Sequence, residues 1–146
     1  MDAEAVSPLH VALQLHRAYA IATLQLNKAL KPLGLSYRHV AAMFLIRDGV
    51  RTHRDLTYEL QTDKAGMFRT LIDMEGQGLV TKTRSERDRR SQLFQLTKHG
   101  HATLVMAQRH TRTVAENLFG TLSSDELATV HTALGRVQGP HHESSA

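Results

Sequence analysis

Residues 79–100 read LVTKTRSERDRRSQLFQLTKHG, and this stretch decides the fold of the chain. Two short apolar runs, at residues 79–81 and 93–96, lie on either side of a polar segment. Runs of β-forming residues around a polar turn predict a β-hairpin. A ribbon with a strongly basic tip is suited to lie along a phosphate backbone or to enter a narrow minor groove. The basic residues of this hairpin are Lys82, Arg84, Arg87, Arg89 and Arg90.

The composition of the chain narrows the classes of function. Cysteine is absent, which excludes disulfides, zinc–thiolate sites and thiol-based redox sensing. Tryptophan is also absent and aromatic residues make up only 5% of the chain, which argues against single-strand binding by base stacking. The net charge of +4 is compatible with nucleic-acid binding.

The length and the hydrophobic pattern indicate one soluble domain. With 146 residues and 41% hydrophobic content, the chain is long enough to form a real core. No apolar run approaches the length of a transmembrane helix, and the N-terminal residues do not resemble a signal peptide. We therefore expect a cytoplasmic protein with no membrane partner.

A long first helix is predicted from Ser7-Pro8 to the break at Pro32 and Gly34. Its apolar residues are distributed around the helix and do not form one narrow stripe. A helix that is apolar on more than one face is usually buried by more than its own domain, and a dimer interface is the natural explanation. These apolar residues are Leu9, Val11, Leu13, Leu15, Ile21, Leu24 and Leu26.

Three shorter helices precede the hairpin and two longer ones follow it. Ser36 and Thr52 are positioned to cap the second and third helices, and either Asp63 or Thr62 to cap the fourth. Thr97 and Ser123 are positioned to cap the last two helices. The third and fourth helices, joined by a tight turn and followed by the hairpin, form a helix-turn-helix with a wing. In the last helix, four residues are predicted to face inward: Leu127, Val130, Leu134 and Val137.

The fourth helix is expected to be the recognition helix, which enters the major groove in such a unit. Met67, Leu71 and Met74 share one helical face and are predicted to be buried. Arg69 could contact guanine with two hydrogen bonds, and Phe68 could contact a thymine methyl group or belong to the core. The predicted DNA-binding residues of this helix are Lys64, Ala65, Gly66, Phe68 and Arg69.

Three motifs together resemble the MarR family of bacterial winged-helix regulators. They are Gly-Leu-Val at residues 78–80, Asp-Arg-Arg at 88–90 and Leu-Thr-Lys-His-Gly at 96–100. The resemblance implies a mainly α fold with a small β-hairpin wing, in which flanking dimerisation helices surround the winged helix-turn-helix. The expected segments are dimerisation helices at 7–35 and 98–139, a DNA-binding lobe at 36–97 and a flexible tail at 140–146.

The resemblance also implies a function. We expect a homodimer that binds a pseudo-palindromic site in double-stranded DNA and regulates transcription. Repression is the usual mode of regulation in the family, so a repressor is expected. Arg90 is implied to enter the minor groove, with Asp88 holding the wing by pairing with a neighbouring arginine. The wing residues expected to contribute to DNA binding are Arg84, Arg87, Asp88, Arg89 and Arg90.

Effector binding is a weaker expectation. Many members of the family bind small aromatic acids or other anions between the dimer helices and the DNA-binding lobe. His16, Arg17, Tyr37 and His39 lie where the first two helices could line such a pocket, although each could equally brace its own helix. An anionic phenolic ligand that lowers operator affinity is the resulting hypothesis.

Other classes of function receive less support from the sequence. The ten histidines include no pair at i, i+4 on a helix, so no metal site and no cofactor is predicted, and a metal-responsive regulator stays an alternative. No glycine-rich phosphate loop or nucleophile elbow is present, which argues against an enzyme. A winged helix that serves only as a protein or RNA interaction module is the remaining alternative.

Overall fold

The computed structural model describes residues 5–139, so the predicted tail at 140–146 lies outside the described residues. Four α-helices precede an antiparallel hairpin and two α-helices follow it, as the sequence predicts. The mainly α fold with one small hairpin is therefore confirmed. The elements are α1 (Pro8–Leu30), α2 (Tyr37–Arg47), α3 (His53–Glu59), α4 (Lys64–Gly76), β1 (Val80–Arg84), β2 (Gln92–Leu96), α5 (Lys98–Phe119) and α6 (Ser124–Val137), with a short 3-10 turn at Lys31–Leu33 after α1.

The hydrophobic core lies between α2, α3, α4, the base of the hairpin and the first half of α5. Short polar side chains cap the N-termini of the helices from α2 to α6. Each accepts a hydrogen bond from a backbone N–H of the first turn, which would otherwise have no partner within the helix. The capping residues are Ser36, Thr52, Asp63, Thr97 and Ser123. The local turn chemistry of the sequence therefore sets where each helix of the DNA-binding lobe begins.

The hairpin is attached to this core by its base. Val80 pairs with Leu96, and Arg84 pairs with Gln92 at the end nearer the tip. The Phe94 N–H donates to the carbonyl of Arg51 at 2.8 Å, so β2 also pairs with the segment between α2 and α3. Leu79, Val80 and Phe94 are buried and Leu96 is half-buried, so the strands pack on the core through these side chains.

The residues around Leu79 join the hairpin to α5. The Leu79 carbonyl accepts the Thr97 N–H at 3.0 Å, and the Thr97 hydroxyl donates to the Gly78 carbonyl at 2.6 Å. A side chain at position 100 would place its Cβ 2.1 Å from the Leu79 carbonyl oxygen, so only glycine fits at this close approach. The motifs at 78–80 and 96–100 are therefore two halves of one packed joint.

The long helices outside this lobe leave much apolar surface uncovered. Leu30 is the only fully buried residue of α1 among those described, and no described residue of α6 is buried. The prediction that the apolar face of α6 points inward is wrong for the single chain, because no other element within residues 5–139 covers that face. Leu127, Val130 and Val137 are 44%, 37% and 74% exposed, and Leu134 is half-buried.

The exposed apolar face of α1 agrees with the excess of apolar residues seen in its sequence. None of the helices within residues 5–139 combines the length and apolar character needed to cross a membrane.

Candidate DNA-binding interface

The recognition helix α4 buries one face and exposes the other, as its periodicity predicts. Met67, Leu71 and Met74 are buried at 0%, 3% and 0% exposure. Phe68 is 57% exposed, so it does not belong to the core. The outward face near the start of the helix carries Lys64, Ala65, Phe68 and Arg69, all of them exposed.

Gly66, the fifth predicted DNA-binding residue of this helix, lies beside the outward face and is not exposed on it. It is buried, and its N–H donates to the Oδ1 atom of Asp63, which begins the helix. A Cβ atom at this position would lie 2.9 Å from that carboxylate oxygen and 3.1 Å from a guanidinium nitrogen of Arg38. The glycine thus makes room for a capping carboxylate and a cation, which a helical wheel alone does not show.

The start of α3 holds the exposed ring of Phe68. The rings of His53 and Phe68 meet edge to face with their centroids 6.4 Å apart. His53 Nε2 also lies 3.0 Å from the Lys64 carbonyl oxygen, within hydrogen-bonding distance. Because these contacts restrain an apolar ring that faces solvent, Phe68 is held in place without being buried.

The wing tip is braced by Asp88, but not through the ion pair that the family resemblance implies. Asp88 Oδ1 accepts the Arg90 N–H at 3.0 Å, and Oδ2 accepts the Ser91 hydroxyl at 3.0 Å. The ion pairs between described residues are His39–Asp73, Arg47–Asp48 and Lys82–Glu75, so no arginine of the wing is paired with Asp88. The implied pairing is wrong because the short side chain reaches its own turn first.

This arrangement leaves the charges of the wing available. Arg84, Arg87, Arg89 and Arg90 are exposed and have no carboxylate partner within residues 5–139. The wing therefore presents a group of unneutralised guanidinium ions, which is the electrostatic requirement for binding a polyanion.

A groove of about 380 Å³ separates α4 from the wing. Its walls include Phe68 and Ile72 of α4, Arg54 of α3 and Arg90 of the wing. Lys82 Nζ lies 3.7 Å from Glu75 Oε1 across this groove, but both side chains are more than a third exposed, so the pair adds little stability. The sequence did not predict that His53 and Arg54 line this groove, because only tertiary packing brings the start of α3 to the DNA-binding face.

A second cavity of about 350 Å³ lies between α1, the start of α2 and α4. Tyr37 and His39 line it as predicted, together with Tyr19 and Arg38. The predicted residues His16 and Arg17 are exposed on α1 and are not part of its lining. Tyr19 was not predicted from the sequence as a lining residue, although it lies on α1 within three residues of His16 and Arg17.

The two tyrosines of this cavity are in contact. Their rings meet edge to face with centroids 6.3 Å apart. Burial, and to a lesser extent the neighbouring Tyr19, raises the pKa of Tyr37 above the usual value for tyrosine. The Tyr37 phenol therefore stays protonated at neutral pH and is able to donate a hydrogen bond.

Within residues 5–139 no cluster of three or more histidine, aspartate or glutamate side chains is arranged to hold a metal ion. His141 and His142 lie outside the described residues.

Comparison with known proteins identifies the winged lobe. Residues 33–91 match the model of the MarR family. The fold resembles a MarR-family transcriptional regulator from Rhodococcus sp. RHA1, with 19% identity, a TM-score of 0.83 and coverage of 94% of this chain and 98% of that one. The winged lobe at these residues is therefore similar to that of the MarR family, and the whole chain shares the fold of its solved members. Members of this family are transcriptional regulators and not enzymes.

Two further solved structures with this fold contain a bound molecule. A mutant MarR from E. coli complexed with operator DNA is 24% identical, with a TM-score of 0.75, over 87% of this chain and 92% of that chain. CouR from Rhodococcus jostii RHA1, bound to p-coumaroyl-CoA, is 21% identical, with a TM-score of 0.78, over 89% and 92% of the two chains. At these identities the likeness establishes a common fold.

The hydrogen-bonded turn at the wing tip predicts different effects of two substitutions at Asp88. Asp88→Asn keeps an oxygen that accepts the Arg90 N–H, whereas Asp88→Ala removes it. We expect Asp88→Ala to lower the heteronuclear NOE of the backbone amides of residues 86–91, and Asp88→Asn to leave it close to that of the parent. An equal loss in both variants would show that the negative charge, and not the hydrogen bond, braces the tip.

Proposed function

We propose that this chain is a homodimeric, sequence-specific regulator of transcription that acts on double-stranded DNA in the cytoplasm, as a repressor relieved by a small ligand. The observation that carries this proposal is the combination of two features on one face. The recognition helix exposes Lys64, Phe68 and Arg69, and the adjacent wing carries arginines without carboxylate partners.

Each exposed side chain has a distinct task in this proposal. Arg69 reads guanine through paired hydrogen bonds, and Phe68 packs against a thymine methyl group. Lys64 meets a phosphate, and Arg90 enters the minor groove, where a narrow A·T-rich segment attracts cations. The E. coli MarR complex with operator DNA, which shares this fold, supports the assignment.

The proposal predicts different effects for substitutions in the wing and in the recognition helix. Arg90→Ala should weaken operator binding and lower the slope of log K against log salt by about one unit, because one cationic contact to DNA is lost. Arg69→Ala should instead relax base preference at one position in each half-site. Fluorescence anisotropy titrations at several salt concentrations measure both effects, on the duplex upstream of the chain's own gene.

Arg136→Ala, which removes the same charge from the end of α6, is the matched control and should bind like the parent. If Arg90→Ala also binds like the parent, the assignment of the wing is wrong. Weak binding of the parent that is equal on all DNA sequences would favour a protein or RNA interaction module.

The uncovered apolar surface of α1 and α6 supports the homodimer. Leu13 on α1 and Leu127 on α6 are 52% and 44% exposed in the single chain, so water reaches the apolar side chains of both helices. Water contact with so many aliphatic side chains is unfavourable, and a second copy provides a complementary cover. A twofold dimer also places two recognition helices about 34 Å apart, which suits a pseudo-palindromic operator.

Leu127→Asp should shift the protein from dimer to monomer, because it places a charge in the proposed apolar interface. Sedimentation equilibrium measures the change directly. Ile72→Asp is the matched control, since Ile72 is 54% exposed but lies on the DNA-binding face. A parent protein that sediments as a monomer, or an unchanged Leu127→Asp dimer, would contradict the proposed interface.

The cavity beside α2 supports a small-molecule effector. Its donors include the protonated phenol of Tyr37 and the guanidinium of Arg38, a combination that suits an aromatic acid carrying a negative charge. CouR, which has the same fold, is bound to p-coumaroyl-CoA in its structure. We assign this cavity to an anionic aromatic ligand, with a metal-responsive regulator as the alternative.

Hydroxylated aromatic acids at millimolar concentration should weaken operator binding by the parent protein. Tyr37→Phe removes the donor but keeps the ring, so this variant should need several-fold more acid for the same loss. His16→Ala lies outside the cavity lining and should respond like the parent. Operator binding that is unchanged across a panel of such acids would argue against this ligand class, and a response to zinc instead would favour the metal-responsive alternative.

A further inference from the structure

The start of α2 is in contact with both the long helix α1 and the recognition helix α4. The Tyr37 N–H donates to Asn27 Oδ1 of α1 at 2.6 Å. Two residues later, His39 Nε2 lies 2.6 Å from Asp73 Oδ2 of α4. One helical turn therefore connects the proposed dimer helix to the helix that reads DNA.

The hydrogen bonds of His39 specify its tautomer. The Ser36 N–H donates to His39 Nδ1 at 3.0 Å, so that nitrogen must present a lone pair. The proton of the neutral ring then resides on Nε2 and is donated to Asp73. Since the His39 side chain is 16% exposed, this donation to a carboxylate is partly shielded from water.

Asp73 is held from a second direction. Gln77 Nε2 donates to the same Oδ2 atom at 3.1 Å and also reaches the Gly34 carbonyl at 3.3 Å. The carboxylate is therefore drawn toward α2 and the end of α1. Its own side chain is 53% exposed, so it would have other positions available without these two donors.

One of those positions is next to the proposed base-reading arginine. Arg69 and Asp73 are separated by four residues on α4, the spacing at which oppositely charged side chains pair on a helix. They form no ion pair in the described part of the chain, where Asp73 is engaged by His39. Arg69 is consequently exposed and unneutralised.

We propose that His39 is a positioning residue for DNA recognition, because it holds Asp73 away from Arg69 and so keeps the guanidinium free for the operator. This inference rests on the proposed function as a DNA reader. When His39 is removed, Asp73 pairs with Arg69, and each operator contact of that arginine then has to displace a carboxylate. His39 itself does not touch DNA in this scheme.

The test measures operator affinity in His39→Gln on two backgrounds. Glutamine at the third position of a helix accepts the Ser36 N–H as histidine does, so the cap of α2 is kept, but its amide does not reach as far as His39 Nε2. We expect His39→Gln to bind about tenfold more weakly than the parent. In the Asp73→Ala background, the same substitution should cause no further loss, because the competing carboxylate is gone.

The Arg69→Ala background gives an independent readout. In this background His39→Gln should again cause no further loss of affinity, since Arg69, which His39 keeps unpaired, is absent. Affinities are measured by anisotropy on the tightest duplex that the parent selects from a random-sequence library.

Several results would overturn the inference. One is that His39→Gln binds the operator as tightly as the parent does. Another is that the loss of affinity in His39→Gln persists unchanged when Asp73 is alanine. The second result would mean that His39 acts through the stability of α2 alone. Failure of the parent to select any sequence would instead contradict the proposed function itself, so the two failures are distinguishable.

Discussion

The carbonyl group of Leu79 is the constraint on which the DNA-binding lobe depends. It accepts the Thr97 N–H and lies against Gly100, where an added Cβ would be only 2.1 Å away. The base of the wing is thereby packed onto the first turn of α5 with almost no freedom to slide. Because α5 continues beyond the lobe, the direction of the wing and the direction of α5 are set by the same contact.

The arginines of the DNA-binding face stay unpaired because neighbouring carboxylates accept hydrogen bonds from other groups. Asp88 accepts hydrogen bonds within its own turn, and Asp63 accepts the N–H of Gly66. Asp73 is engaged by His39 and Gln77 in the same way. These three acidic side chains thus have local partners, and the arginines near them retain their charge for an external polyanion.

The sequence predicted those features that depend on local periodicity and turn chemistry. The buried face of α4 and the presence of the hairpin follow from such patterns, and the structure confirms both. The burial of Gly66 and the partners of Asp88 depend on where short side chains find their nearest donor, which helical spacing does not encode. The contact between His39 and Asp73 joins residues 34 positions apart, and no local pattern points to it.

The orientation of α6 was predicted wrongly for a related reason. Its amphipathic pattern correctly indicates that one face requires cover, but the pattern does not say which chain supplies it. His39, unlike the apolar face of α6, finds its partners within its own chain, because both of its ring nitrogens are hydrogen-bonded there. His39 also lines the cavity between α1 and α4. The same imidazole therefore lies between the lining of this cavity and the carboxylate of Asp73, so a ligand of the kind proposed for the cavity would act on the side chain that holds the recognition helix.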